Sequence, residues 1–86
     1  MKHAGQAALD ALEPLLVGLR GLPQLKEKGR GTFYVKSRAF LHFHEDPKGL
    51  FADIRCADGR DFDRLHVDAA EARDALVAAA RSRCGA

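Results

Sequence analysis

The sequence predicts an α+β fold, namely a two-layer sandwich in which a four-stranded antiparallel meander carries an N-terminal and a C-terminal helix on one face. Three observations support this prediction. Apolar residues recur at helical spacing near both ends of the chain, they alternate with polar residues in the middle, and turn-forming residues divide that middle part. We therefore expect the element order α-β-β-β-β-α and a single domain spanning residues 1–86.

The first helix is expected over residues 6–20, where apolar residues recur on one face. The residues of that face are Ala8, Leu12, Leu15, Leu16 and Leu19. Pro14 interrupts the segment, so either the helix kinks there or a second helix begins with Pro14 at its first position, where the missing N–H costs nothing. Gly21 is expected to end the helix in the left-handed conformation.

The centre of the predicted sheet is residues 38–44, whose side chains alternate between the two faces of a strand. We expect Leu41 and Phe43 to point toward the helices. The residues then left on the outer face are Phe40, His42 and His44. This outer row is the clearest local indication of function in the chain.

The turns set the register of the expected strands. We expect a three-residue connection at residues 36–38, which gathers the apolar residues of both strands on one face. A two-residue loop would instead set Phe33 and Val35 against the outer row. Asp46-Pro47-Lys48-Gly49 has the residues of a type I turn. The outer pairs expected across that turn are His44–Phe51, His42–Asp53 and Phe40–Arg55.

The last part of the chain predicts a hairpin and a helix. Asp58-Gly59 is typical of a tight hairpin turn, and the strand that follows would need a bulge to bring Phe62 and Leu65 to one face. Asp68 and Glu71 have the spacing of a capping box at the start of the second helix. The expected inner stripe of this helix is Ala69, Ala72, Leu76, Ala79 and Ala80.

Composition and charge limit the classes of protein. The formal charge of +2 is small, Cys56 and Cys84 have no metal-type spacing, and no window is apolar enough to span a membrane. We expect free thiols, a cytoplasmic location and no contact with a membrane. The basic residues cluster in one segment and are Lys26, Lys28, Arg30, Lys36 and Arg38.

Part of the chain resembles a known family. The similar positions are Leu22-Pro23-x-Leu25-x-Glu27, a glycine-containing loop, Phe33-x-Val35 before a basic turn, Phe40, and Gly49-Leu50-x-Ala52-Asp53-Ile54. Over residues 22–54 the sequence is similar to the front half of the MmcQ/YjbR-like proteins, whose fold is grouped with that of frataxin. The resemblance implies a helix–sheet–helix fold and a weak association with DNA binding. It transfers no catalytic residue and no iron site.

Three functions are open at this stage. Our leading interpretation is a binding or self-associating module that is not an enzyme, uses the outer face, and takes another protein or a second copy as partner. The proposed binding surface is Tyr34, Phe40, His42, His44, Phe51, Asp53 and Arg55. The plain alternative is that residues 24–31 or the N-terminal residues fold over these rings.

The two other functions use parts of the same region. The basic segment, with Tyr34 and Phe40 nearby, has the charge and stacking groups of a single-strand nucleic-acid binder, although a solvated loop explains the same charges. His42, His44 and Asp53 would make an open metal site. We prefer two surface histidines with a cross-strand contact to Asp53, because the sequence places no third histidine there, and we therefore assign no metal, cofactor or catalytic residue.

Overall fold

The computed structural model describes residues 2–85 and contains two helices and a six-stranded antiparallel sheet. The helices are α1 (Gln6–Arg20) and α2 (Ala70–Arg83). The strands are β1 (Lys2–His3), β2 (Lys26–Glu27), β3 (Phe33–Val35), β4 (Arg38–Asp46), β5 (Gly49–Arg55) and β6 (Phe62–His66). The α+β class is confirmed, but the expected count of four strands is wrong because β1 and β2 are added.

The sheet is ordered β2-β3-β4-β5-β6, and β1 also pairs with β4. This arrangement follows from the length of β4, because the shorter β3 pairs only with residues 38–41. The far end of β4 is free on that side, and β1 pairs there with His3 opposite His44. The N-terminal segment is thereby placed beside the middle of the sheet.

Residues of both helices and of the sheet share one buried core. The buried core contains Leu12, Leu16 and Leu19 from α1, Leu76 and Ala80 from α2, and Phe33, Leu41, Phe43, Ala52 and Ile54 from the sheet. These sheet residues alternate with the residues of the opposite face, which we call the open face. Among residues 2–85, neither helix is both long and apolar enough to cross a membrane.

The helix α1 runs through Pro14 without a second start. Its end differs from the prediction, because Gly21 has φ −74° and ψ −8° and is therefore right-handed. The N–H of Gly21 donates to the carbonyl oxygen of Gly18, and the N–H of Leu22 donates to that of Leu19. These bonds satisfy the last turn without a left-handed residue.

The β3–β4 connection differs from the prediction in the length of its loop and in the direction of the Phe40 side chain. Val35 lies opposite Arg38, so the loop has two residues, Lys36 and Ser37, with φ of 51° and 70°. The register then shifts, since Phe33 pairs with Leu41 and Tyr34 pairs with Ala39. Phe40 is the extra residue of a β-bulge, so it turns to the core with an exposure of 4%.

The β4–β5 register agrees with the prediction around the turn. His42 lies opposite Asp53, and His44 lies opposite Phe51. The expected outer pairing of Phe40 with Arg55 is wrong, because the β4–β5 ladder ends at Leu41 and Ile54 and Phe40 turns to the core.

The remaining connections are less regular than predicted. Residues 56–61 form a longer loop between β5 and β6, so Asp58-Gly59 is not a tight hairpin turn. The side chain of Asp68 accepts a hydrogen bond from the N–H of Leu50 rather than capping α2, whose N-cap is Ala69. Because Ala69 precedes the helix and is exposed, it does not belong to the inner stripe.

Candidate functional site

The open face carries aromatic rings and charged groups from four strands. Its central residues are His3, His42, His44, Phe51, Asp53, Arg55, Phe62, Arg64 and His66. Each of them alternates with a residue of the core or of the helix side, so the pleat of the sheet alone brings them together.

Asp53 is the buried charge at the centre of this face, with an exposure of only 7%. The guanidinium of Arg64, from the neighbouring β6, donates from Nε to Oδ1 at 2.8 Å and from Nη2 to Oδ2 at 2.9 Å. These hydrogen bonds lower the pKa of Asp53, so its side chain is a carboxylate at neutral pH.

Two imidazoles converge on one oxygen of this carboxylate. Nε2 of His44 lies 3.1 Å from Asp53 Oδ2, and Nε2 of His42 lies 3.5 Å from the same atom. The close approach of His44 does not have hydrogen-bonding angles. Within residues 2–85, both ring nitrogens of His44 are therefore buried without a hydrogen-bond partner.

Burial also sets the protonation of His42. Desolvation lowers the pKa of this imidazole, and the nearby Asp53 carboxylate opposes that effect without reversing it. His42 is consequently neutral at pH 7, with a nitrogen lone pair available to accept a proton or a metal ion.

A third histidine lies against this pair. The ring of His3, carried by β1, stacks on the ring of His44 with a centroid distance of 4.9 Å. His42 meets His44 edge-on at 4.9 Å, and Phe62 closes the other side of His42 at 5.4 Å. We refer to His3, His42, His44 and Asp53 as the histidine cluster.

A second histidine–carboxylate pair lies on the same face. Nε2 of His66 is 2.6 Å from Asp68 Oδ2, and the ring of Phe51 stacks on His66 at 4.8 Å. This pair has no second imidazole at the carboxylate, and its side chains are 54% and 45% exposed. It contains the same residue types as the histidine cluster, but it is more exposed and has one imidazole where the cluster has several.

The predicted binding surface is only partly assembled. His42, His44, Phe51 and Asp53 lie together on the open face, whereas Phe40 belongs to the core. Tyr34 lies at the β2–β3 edge beneath the ammonium of Lys28, at 4.8 Å. Arg55 covers the ring of Phe62 at 4.6 Å and donates to the carbonyl oxygen of Ala39.

Sequence reasoning missed His3, Phe62 and Arg64. Alternation along β6 places Phe62 and Arg64 on the open face, but the sequence left the register of that strand undetermined. His3 lies in a strand of two residues, which is too short to carry a periodic pattern.

The basic segment does not form one cationic patch. Arg30 turns to α1 and pairs with Asp10 at 2.7 Å and Glu13 at 2.9 Å. Lys28 packs on Tyr34, and Arg38 donates to the carbonyl oxygen of Gly59. Three of the basic side chains that were expected to bind successive phosphates of a nucleic acid therefore contact different parts of the protein.

Both cysteines are free thiols. Cys84 is buried in the core, and Cys56 lies at the end of β5, where burial and the nearby Asp63 carboxylate raise the pKa of its thiol. Neither cysteine belongs to the histidine cluster.

In comparisons with known proteins, no family model, no curated protein and no solved structure matches the chain. The resemblance to the MmcQ/YjbR-like proteins accordingly stays a prediction from the sequence.

Proposed function

We propose that this chain is a small binding module whose open face binds a divalent transition-metal ion through His42, His44 and Asp53. One observation carries the proposal: the three side chains offer ligand atoms that all lie within 4.8 Å of one another. Three groups from two adjacent strands thus lie close enough together for side-chain movement to bring them onto one ion.

The spacing suits a metal ion with short bonds. Ligands held about 2.0–2.1 Å from a tetrahedral ion are separated from one another by about 3.3–3.4 Å. The separations of Asp53 Oδ2 from the two imidazole nitrogens, 3.1 and 3.5 Å, bracket that value. The ligand atoms are spread over as much as 4.8 Å, so the two imidazoles have to rotate toward each other to bind one ion. Both histidines are on β4 and the carboxylate is directly across on β5.

The donor types select the class of metal. Two imidazoles and one carboxylate suit zinc, copper(II), nickel or iron(II), whereas magnesium and calcium prefer sites made of oxygen atoms. Three protein ligands also leave at least one coordination position for water or another ligand. We therefore expect zinc and the neighbouring transition metals to bind, and magnesium and calcium not to bind.

The protonation states support metal binding at neutral pH. The lowered pKa of His42 and the lowered pKa of Asp53 give a neutral imidazole and an ionised carboxylate. His44 has two buried ring nitrogens without a hydrogen-bond partner, and leaving such groups unpaired costs about 1–3 kcal/mol each. A metal–nitrogen bond would remove part of that cost.

Arg64 sets an upper limit on the affinity. Its guanidinium occupies both oxygens of Asp53, so the ion has to share Oδ2 with it or displace it. The bond from Nε to Oδ1 can remain and orient the carboxylate, as outer-shell partners of metal ligands do. The positive charge of Arg64 opposes a divalent cation, and we expect a weaker site than one with an unpaired carboxylate.

The test is calorimetric titration of the chelator-treated protein with zinc and with cobalt(II). We expect one site per chain, a cobalt absorption spectrum typical of low coordination number, and loss of binding in His42→Ala and Asp53→Asn. His66→Ala is the matched control, because His66 also contacts a carboxylate on the open face but lacks a second imidazole there. Absence of binding, or identical curves for the wild type and His42→Ala, would overturn the proposal.

Self-association through the open face is a second candidate function. The observation in its favour is the exposure of Phe62, 37% for a large apolar side chain beside the histidine cluster. Such rings are enriched at the centres of protein interfaces. Light scattering over a range of protein concentrations, with and without zinc, tests this candidate, and a monomer throughout would remove it.

A further inference from the structure

A second group of charged side chains lies outside the histidine cluster, at the end of the sheet where β3 turns into β4. A cavity of about 200 Å³ opens there. Four of the residues that line it are bases, namely Lys36, Arg38, Arg55 and Arg83. The cavity has no aspartate or glutamate in its lining.

Two of these guanidinium groups converge on a single acceptor. Nη2 of Arg38 and Nη1 of Arg55 each donate to the carbonyl oxygen of Gly59 at 2.9 Å. Two like charges are thus held side by side, and within residues 2–85 neither arginine forms an ion pair with a carboxylate. Two nearby acids are engaged elsewhere, because Asp63 is bonded to Arg83 at 2.8 Å and Asp58 accepts a hydrogen bond from the N–H of Arg60.

These contacts leave donors available. A guanidinium has five N–H groups, and Arg38 uses one nitrogen while Arg55 uses Nε and Nη1. Lys36 is exposed at the rim and forms no hydrogen bond or ion pair within residues 2–85. A multiply charged anion placed here would accept several charge-assisted hydrogen bonds.

The remaining lining of the cavity is apolar. Val35 and the buried ring of Phe40 form one wall, which is where the β-bulge turns Phe40 away from the open face. A bare inorganic ion would leave this wall without a contact. The combination of clustered bases and an apolar wall suits an organic molecule with an anionic end.

We propose that this cavity binds the phosphate group of a small organic molecule, with Lys36, Arg38 and Arg55 as the phosphate ligands. A phosphate matches the site better than a carboxylate, because it carries up to two negative charges and has more acceptor oxygens for planar guanidinium donors. The site is separate from the histidine cluster and does not depend on the metal-binding proposal.

The test is a titration of the chelator-treated protein with inorganic phosphate, followed in amide and arginine Nε spectra at constant ionic strength. We expect saturable shifts at Gly59 and at the Nε of Arg38 and Arg55 in the millimolar range. Arg38→Gln should weaken binding by about tenfold or more, since it removes a charged hydrogen-bond donor. Its fold should persist, because Arg55 still bonds to the Gly59 carbonyl.

Two further variants distinguish phosphate binding in this cavity from nonspecific attraction of phosphate to positive charge. Lys36→Gln changes an exposed residue without structural bonds and should also weaken phosphate binding. Arg60→Gln removes the same charge from the adjacent loop, outside the cavity lining, and should leave the affinity unchanged. Shifts that do not saturate, or equal losses in the Arg38 and Arg60 variants, would overturn the proposal. Tight binding of a single-stranded oligonucleotide without phosphate binding would also overturn it, in favour of a nucleic-acid surface.

Discussion

The two faces of β4 differ in which side chains they bury and in how completely they bury them. Leu41 and Phe43 on the helix face are 0% and 3% exposed, and the side chains of His42 and His44 on the open face are 23% and 13% exposed. The helix face buries apolar groups against apolar groups, which stabilises the fold directly. The open face buries titratable groups around a charge, which stability alone does not favour.

This difference marks the histidine cluster as the part of β4 that hydrophobic burial does not explain. A valine or isoleucine at position 44 would fill a strand position without leaving two buried nitrogens unpaired. The helix face is therefore explained by folding alone, whereas the ligand proposed for the histidine cluster would compensate part of the cost of its unpaired nitrogens. The predictions below test this contrast.

The largest expected effect is on the helix face. Leu41→Ala should lower the free energy of unfolding by about 2–5 kcal/mol, because Leu41 is fully buried and the shortened side chain leaves a cavity. His42→Ala, one residue along the same strand, should cost less than about 1 kcal/mol in metal-free protein. Urea unfolding measures the loss of unfolding free energy in both variants. Equal losses would show that the two faces of β4 contribute equally to stability.

An intermediate effect is expected at the charged centre of the open face. Asp53→Asn should cost about 1.5–3 kcal/mol, because it weakens two hydrogen bonds from Arg64 to a largely buried carboxylate. The matched change is Asp63→Asn, since Asp63 also pairs with an arginine but is 48% exposed. It should cost at most about 1 kcal/mol. A larger loss at Asp63 than at Asp53 would contradict the importance of burial.

A smaller effect should appear as a pH dependence. The folded-state pKa of His42 is lowered, so below the unfolded value of about 6.5 the unfolded chain binds more protons than the folded chain. The stability contributed by neutral His42 is thus complete above about pH 6.5 and is lost as the pH falls toward the folded pKa.

Unfolding free energies of the metal-free protein measured between about pH 7 and pH 5 test this sign. The His42→Gln variant should show a flatter decline than the wild type. A wild-type stability that rises on acidification over this range would show that His42 is not desolvated in the way described.

The smallest effect on stability is expected for Phe62→Ser. Phe62 is 37% exposed and its main contact is the guanidinium of Arg55, so its replacement should change the unfolding free energy by no more than about 1 kcal/mol. If the open face also self-associates, the same variant should weaken association in light scattering. A large loss of stability would instead place Phe62 among the residues that hold the fold.

The sequence was most informative where turn chemistry and alternation agreed. Asp46-Pro47-Lys48-Gly49 aligned β4 with β5, so the pairing of His42 with Asp53 could be predicted before the structure was known. The helices followed from their apolar spacing, although Asp68 bonds to Leu50 rather than capping α2. Local patterns therefore predicted the elements better than they predicted the use of single polar side chains.

The errors at Phe40 and His3 have physical causes. Lys36 and Ser37 both have positive φ, although neither is a glycine. The sequence therefore lacks the residues that usually indicate a two-residue hairpin loop, and it gives no indication of the bulge that follows. His3 reaches the cluster only because β4 extends beyond β3 and leaves an edge for β1. Such long-range pairing of a two-residue strand is not encoded in local periodicity.

The most direct test of the metal site is a histidine side-chain spectrum that correlates ring protons with ring nitrogens, recorded as zinc is added to the metal-free protein. We expect the Nε2 signals of His42 and His44 to shift together and to stop changing after one equivalent of zinc, while those of His66 stay in place. Unchanged signals for His42 and His44, or equal shifts at His66, would contradict the account.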